Sequence, residues 1–101
     1  MTIAIKGPVD EGFLTATTTA QTLVELGLDL QDLIHSDTIH LSNNGAVTIY
    51  YFYGGATPTT TGGHPLPAGG ERTLSGVQQI TGLKLIAASG TVSVAYTLLA
   101  V

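Results

Sequence analysis

The sequence predicts an all-β fold: an antiparallel β-sandwich of about eight strands, jelly-roll-like in strand number. Two observations predict it. Apolar residues recur with a period of two almost everywhere, and the repeating types are Thr, Val, Ile and Tyr, which suit a pleated, half-buried surface. Eight such runs, all short, are the strand complement of a two-sheet sandwich. At 101 residues the chain fits one domain, residues 1–101. A domain of that size buries roughly two thirds of the surface its unfolded chain exposes, enough for a single two-layer core.

The expected strands run Thr2–Lys6, Phe13–Thr18, Gln21–Leu26, Thr38–Asn43, Ala46–Tyr53, Glu71–Ser75, Leu83–Ala88 and Thr91–Leu99. Residues 1–12 read as an N-terminal arm, Gly7-Pro8 and Gly12 bracket a short hinge-like stretch, and residues 1–20 either pack on their own domain or swap onto a neighbour. Asp10-Glu11-Gly12 reads as a turn. The one helical candidate is 29–34, a single turn capped by Asp29, with Asp32 in it.

Two hairpins are expected. A Ser89-Gly90 turn would pair Ala87 with Val92, Leu85 with Val94 and Leu83 with Tyr96, all on one face, with Lys84, Ser93 and Thr97 on the other. An Asn43-Asn44-Gly45 loop with Gly45 in the left-handed region would oppose Leu41 to Val47 and Ile39 to Ile49. The following strand then carries Tyr51 and Tyr53 on the core side and Tyr50 and Phe52 on the opposite side, so it is apolar or aromatic on both faces. Either the domain covers both faces or Tyr50 and Phe52 meet a partner. Between the hairpins lie a Thr-rich loop over 54–63 and the segment His64-Pro65-Leu66-Pro67, whose prolines exclude a central strand and suggest an extended edge.

Composition narrows the function. Charged residues are 10% of the chain against about 25% in ordinary soluble domains, while mean hydropathy is +0.36. A free monomer usually keeps itself soluble with interspersed charge, so either much of the surface is hidden against neighbouring subunits or the protein is a stable monomer whose surface is Thr, Ser and Gly. Net charge is −4 and the only fixed cations are Lys6, Arg72 and Lys84, which disfavours nucleic-acid binding through a basic patch. There is no cysteine, hence no disulfide, thiolate metal site or cysteine nucleophile. The N-terminus lacks the apolar run of a secretory signal, and no stretch approaches the roughly 18 apolar residues of a membrane span. The expectation is a soluble protein made in a cytoplasm, without membrane partner or cofactor.

Catalytic and metal chemistry find little support. His35 and His40 flank Asp37, but His40 alternates with Ile39 and Leu41 and His35 sits in a connector, so no three ligands converge. Ser36 lies between His35 and Asp37, yet adjacent residues cannot all face one reacting atom. Asp29 and Asp32 read as the capped turn and not as calcium ligands or a paired carboxylate site. The glycine pairs are not followed by the Lys-Ser/Thr of a phosphate loop. The chain reads as non-enzymatic.

The run Leu66-Pro67-Ala68-Gly69-Gly70-Glu71, then Leu83 through Val94 with Ala88-Ser89-Gly90-Thr91 at its turn, resembles the small β-sandwich proteins in the particles of tailed bacteriophages. Ile39–Gly45 leading into Ile49-Tyr50-Tyr51 is similar to that group's strand, Asn-rich turn and strand. The resemblance covers residues 38–101; the extra Gly70 and the Thr-rich 57–61 depart from the pattern. It implies a structural virion protein: a capsid decoration (cement) subunit, or a tail or head–tail junction component, forming a homotrimer or ring and contacting the major capsid or other virion proteins. Thr2, Ile3, Ile5, Tyr50 and Phe52 are the candidate partner contacts. A carbohydrate- or receptor-binding jelly-roll module, using the Thr-rich loop, His64 and Tyr50, is the reading from a different class.

Overall fold

The computed structural model describes residues 7–53, 55–76 and 80–100. Among these residues the chain forms eight strands and one short helix, in the order β1 (Gly7–Ala16), β2 (Gln21–Thr22), α1 (Leu30–Ile34), β3 (Thr38–Asn43), β4 (Ile49–Phe52), β5 (His64–Leu66), β6 (Glu71–Ser75), β7 (Lys84–Ala87) and β8 (Val92–Ala100). Two four-stranded antiparallel sheets result, ordered β1-β8-β3-β6 and β2-β7-β4-β5. Strand pairing is nested: β1 with β8, β2 with β7, β3 with β6, β4 with β5. That is the wiring of a jelly roll, a long folded-over ribbon rolled into two facing sheets.

The core lies between the sheets. Leu14, Ile39, Leu41, Val94 and Leu98 face it from the first sheet, and Ile49, Tyr51, Leu66, Leu85 and Ala87 from the second; all are at most 4% exposed. Period two decides this, because alternate side chains leave opposite faces of a strand. From α1, Leu33 enters the same core. The Asp29 side chain caps this helix by accepting from the Gln31 backbone N–H at 2.7 Å.

Both expected hairpins are corrected. β7 and β8 lie in different sheets, as do β3 and β4, so neither Ser89-Gly90 nor Asn43-Asn44-Gly45 joins paired strands. Each is an arch that carries the chain across the core. The apolar residues still share one interior, but they meet across it from opposite sheets. Leu85 pairs with Tyr51 and Gln21 within its own sheet, and Val94 with Leu14 and Asn43 within the other. Alternation assigns a face and leaves the pairing partner open. The expected left-handed Gly45 is also corrected: its φ is not positive, and what requires glycine there is Val92, whose Cγ1 would stand 2.6 Å from an added Cβ.

The first arch is held by Asn43, which is fully buried. Its side-chain amide donates to the Val47 and Leu66 carbonyls, both at 2.9 Å, and its side-chain oxygen accepts from the Gly45 N–H at 2.9 Å. The amide nitrogen and the oxygen of this buried side chain are therefore both hydrogen-bonded.

Three smaller boundaries differ from expectation. Asp10-Glu11-Gly12 is not a turn: residues 7–12, expected as an arm, belong to β1 and pair with β8. A register shift lies between Pro8 and Asp10, and just past it Asp10 accepts from the Tyr96 hydroxyl at 2.7 Å. The strand expected over Gln21–Leu26 stops at Thr22. Thr22 and Glu25 exchange hydrogen bonds, Thr22 N–H to Glu25 Oε1 and Glu25 N–H to Thr22 Oγ1, in the manner of a capping box. The turn closes with Leu28 N–H to the Leu23 carbonyl and Gly27 N–H to the Val24 carbonyl, Gly27 having φ +113°. That is a Schellman ending, with Leu23 and Leu28 buried beside it. Finally, β4 begins at Ile49, later than the expected Ala46.

Candidate interaction surface

The outer face of the β1-β8-β3-β6 sheet is built mostly from small neutral side chains. β1 contributes Glu11, Phe13 and Thr15, set across from Thr97, Ala95 and Ser93 of β8. Behind them follow His40 and Ser42 of β3, then Thr73 and Glu71 of β6. Among the described strand residues, the titratable side chains on this face are Glu11, His40 and Glu71. His40 is engaged locally: Nδ1 bonds Thr73 Oγ1 at 2.9 Å and Nε2 meets Glu71 Oε1 at 3.2 Å. Phe13 stands out, 73% exposed, because its neighbour across the strand, Ala95, is too small to cover a phenyl ring. A shallow depression of about 320 Å³ lies beside it, lined by Glu11, Phe13, Ala95 and Thr97 with Gly12 and Tyr96. Beneath, burial raises the Tyr96 hydroxyl to a pKa of about 12, helped by its bond to Asp10.

The opposite outer face is treated differently. Tyr50 and Phe52 point outward, across from Ile86 and Lys84. Both are half-buried and Ile86 is only 5% exposed, because the Thr-rich segment lies over this sheet. Within it, Thr59 and Gly62 close a tight turn through two backbone hydrogen bonds, Pro58 is buried, and Lys84 Nζ donates to Thr57 Oγ1 at 3.0 Å. Gly63, at φ +140°, sits between Pro58 and Tyr50; a Cβ there would be 3.2 Å from the Cβ of each. The domain's own Thr-rich segment thus covers Tyr50 and Phe52 in part, and part of each ring stays exposed. At the end of this sheet, His64 lies among Tyr51, Phe52 and Tyr53 with ring centroids 5.3, 5.2 and 5.8 Å away.

The other candidates are scattered. Thr2, Ile3 and Ile5 lie outside the described residues. His35 ends α1, its Nδ1 on the Gln31 carbonyl at 2.7 Å, on a different element from His40. Asp29 caps α1 and Asp32 sits in its first turn. Among the described residues no three His, Asp or Glu side chains gather where a metal could bind. No helix among them is long and apolar enough to cross a membrane. Phe13 was not among the residues that sequence reasoning selected. The signal was present: it alternates with Leu14 and Ala16 as Tyr50 does with Ile49 and Tyr51.

The chain matches no protein-family model, and no curated protein is similar enough to it to count as a relative.

Proposed function

We propose that this chain is a non-enzymatic structural subunit of a tailed-phage particle, acting as a capsid decoration protein through contacts of its sheet surfaces. The supporting observation is the outer face of the first sheet: mostly short side chains, charged only at Glu11 and Glu71 apart from His40, with Phe13 exposed at its margin. Such a face suits packing against another protein surface; its one histidine, His40, is held between the Thr73 hydroxyl and Glu71 on an open strand surface with, among the described residues, no cleft about them to enclose a substrate. The resemblance of residues 38–101 to small β-sandwich virion proteins supports the setting. In mechanism, the subunit binds the assembled lattice and not the dissociated capsid protein, so it stabilises the lattice by mass action.

The test is to purify particles of the phage that encodes the chain and count its copies. Hundreds of copies, lost together with head stability when the gene is deleted, is the expected result. Roughly a dozen or fewer would point to a symmetric ring at a tail or head–tail junction, and none would sink the virion reading.

A carbohydrate-binding module is the second reading, favoured by one observation. Tyr53 is 44% exposed and lies near-parallel to the exposed ring of His64, an aromatic surface of the kind on which a sugar ring can stack. Glycan-array binding abolished by Tyr53→Ala would move this reading to the front.

A further inference from the structure

Four edges bound the two sheets, and three carry features that discourage a partner strand. β2 is two residues long and runs into the capped turn. β5 has three residues with Pro65 in the middle. β6 has five, including the adjacent charges Glu71 and Arg72, both exposed. Shortness, proline and charge are the usual means of blunting an edge. β1 differs in its length and in where such features lie. It runs for ten residues, with Pro8, the register shift and the adjacent charges Asp10 and Glu11 in its first half, and Gly12 to Ala16 carry no charge, proline or lysine. Among the described residues no strand pairs with its outer side.

We infer that β1 is the docking edge for a second copy of this chain, paired antiparallel about a two-fold axis through Phe13 to make one continuous eight-stranded sheet. The inference rests on the reading of the chain as an assembling subunit, and it names the edge and the register. A two-fold contact must be self-complementary, and β1 is so in one register. Centring on Phe13 sets Phe13 opposite Phe13 of the second copy, Glu11 opposite Thr15, and Asp10 opposite Ala16. No charge faces a like charge, and the most exposed aromatic side chain gains an aromatic cross-strand partner. Moving the axis to Gly12 sets Glu11 against Phe13; moving it to Leu14 sets Phe13 against Thr15. Both leave the phenyl ring beside a polar neighbour. Backbone hydrogen bonds along the open edge supply the affinity, as in other strand additions.

The experiment is light scattering across a wide concentration range on wild type and Phe13→Lys, with a bis-maleimide crosslinking arm. The chain has no cysteine of its own, so Phe13→Cys and Ser93→Cys each present one thiol. Wild type should dimerise, and Phe13→Lys, which sets two ammonium groups against each other, should weaken the dimer by at least about 100-fold. At concentrations low enough that both are monomeric, its thermal unfolding should stay close to wild type, since the side chain is exposed in the single chain. A short bis-maleimide should bridge two Phe13→Cys chains and not two Ser93→Cys chains, whose thiols lie one strand further from the axis on each side. A wild type that is monomeric throughout, an oligomer indifferent to Phe13→Lys, or efficient bridging at Ser93→Cys would overturn the inference. Co-sedimentation of the wild type with phage heads separates the two readings. A monomer that binds heads sinks the dimer alone, and a dimer that ignores heads sinks the head-decoration reading alone.

Discussion

At the scale of single residues, Asn43 and Tyr96 show how few polar groups this interior tolerates and how firmly each is held. Asn43 is fully buried and makes three side-chain hydrogen bonds across the first arch. Asn43→Ala leaves the Val47 and Leu66 carbonyls without that donor, and a loss of about 2–4 kcal/mol in denaturant unfolding is expected. Asn43→Asp keeps the shape but turns a carboxylate oxygen toward the same carbonyls, so it should also be destabilised at neutral pH; a variant as stable as wild type would remove the hydrogen bonds from the account. Tyr96 predicts a pH response. Burial first, then the Asp10 bond, raises its pKa from about 10 to about 12, so folding favours the neutral phenol. A raised folded pKa gives stability that is complete below the unfolded value and lost as pH rises through the folded one. Between about pH 10 and 12, wild-type stability should therefore fall more steeply than that of Tyr96→Phe. Parallel slopes would contradict it.

At the scale of elements, strand positions and faces were legible in the sequence, while partners were not. β3 and β6 occupy the expected residues, and Leu83, Leu85, Ala87, Val92 and Val94 are all buried as their alternation requires. Yet Ser89-Gly90 and Asn43-Asn44-Gly45, which carry hairpin chemistry, join strands of opposite sheets. The reason is physical: a turn residue such as Gly90, at φ +59°, reverses the chain equally well within a sheet or across a core. The apolar alternation of two successive strands is the same in both cases. The early end of β2 had a readable cause in Thr22-x-x-Glu25, a capping box that competes with strand continuation. For the site, Tyr50 and Phe52 were legible as outward-facing, but the segment that covers them was not, because its Thr and Pro residues give no period. Gly63 carries that cover. Gly63→Ala forces an L side chain into φ +140° and against Pro58, Tyr50 and the Tyr51 carbonyl. It should cost about 1–3 kcal/mol and raise binding of a hydrophobic dye as Ile86 and Tyr50 are uncovered. Unchanged dye binding with unchanged stability would show that the segment does not depend on this glycine.

At the scale of the whole molecule, nesting makes nearly every strand pairing distant in sequence. β1 waits for β8, β2 for β7 and β3 for β6, whereas among the described strands β4 and β5 are the only partners adjacent in chain order. Loops must close before non-local pairs contribute, so refolding on the millisecond-to-second scale typical of all-β domains is expected. The nesting also predicts which contacts form first. Ile49 pairs directly with Leu66 in the local β4–β5 unit, while Leu14 sits in β1, paired with Val94 some eighty residues away in sequence. Both leucines are buried, at 0% and 3% exposure, and truncating either to alanine should cost about 2–5 kcal/mol. The equal thermodynamic loss should divide differently between the rates. Leu66→Ala removes a contact available early, so it should mainly slow refolding; Leu14→Ala removes one that forms only when the ends of the chain meet, so it should mainly speed unfolding. Chevron plots of the two variants decide this, and slowed refolding in Leu14→Ala with little change in Leu66→Ala would mean that the long-range β1–β8 pair, and not the local hairpin, nucleates the fold.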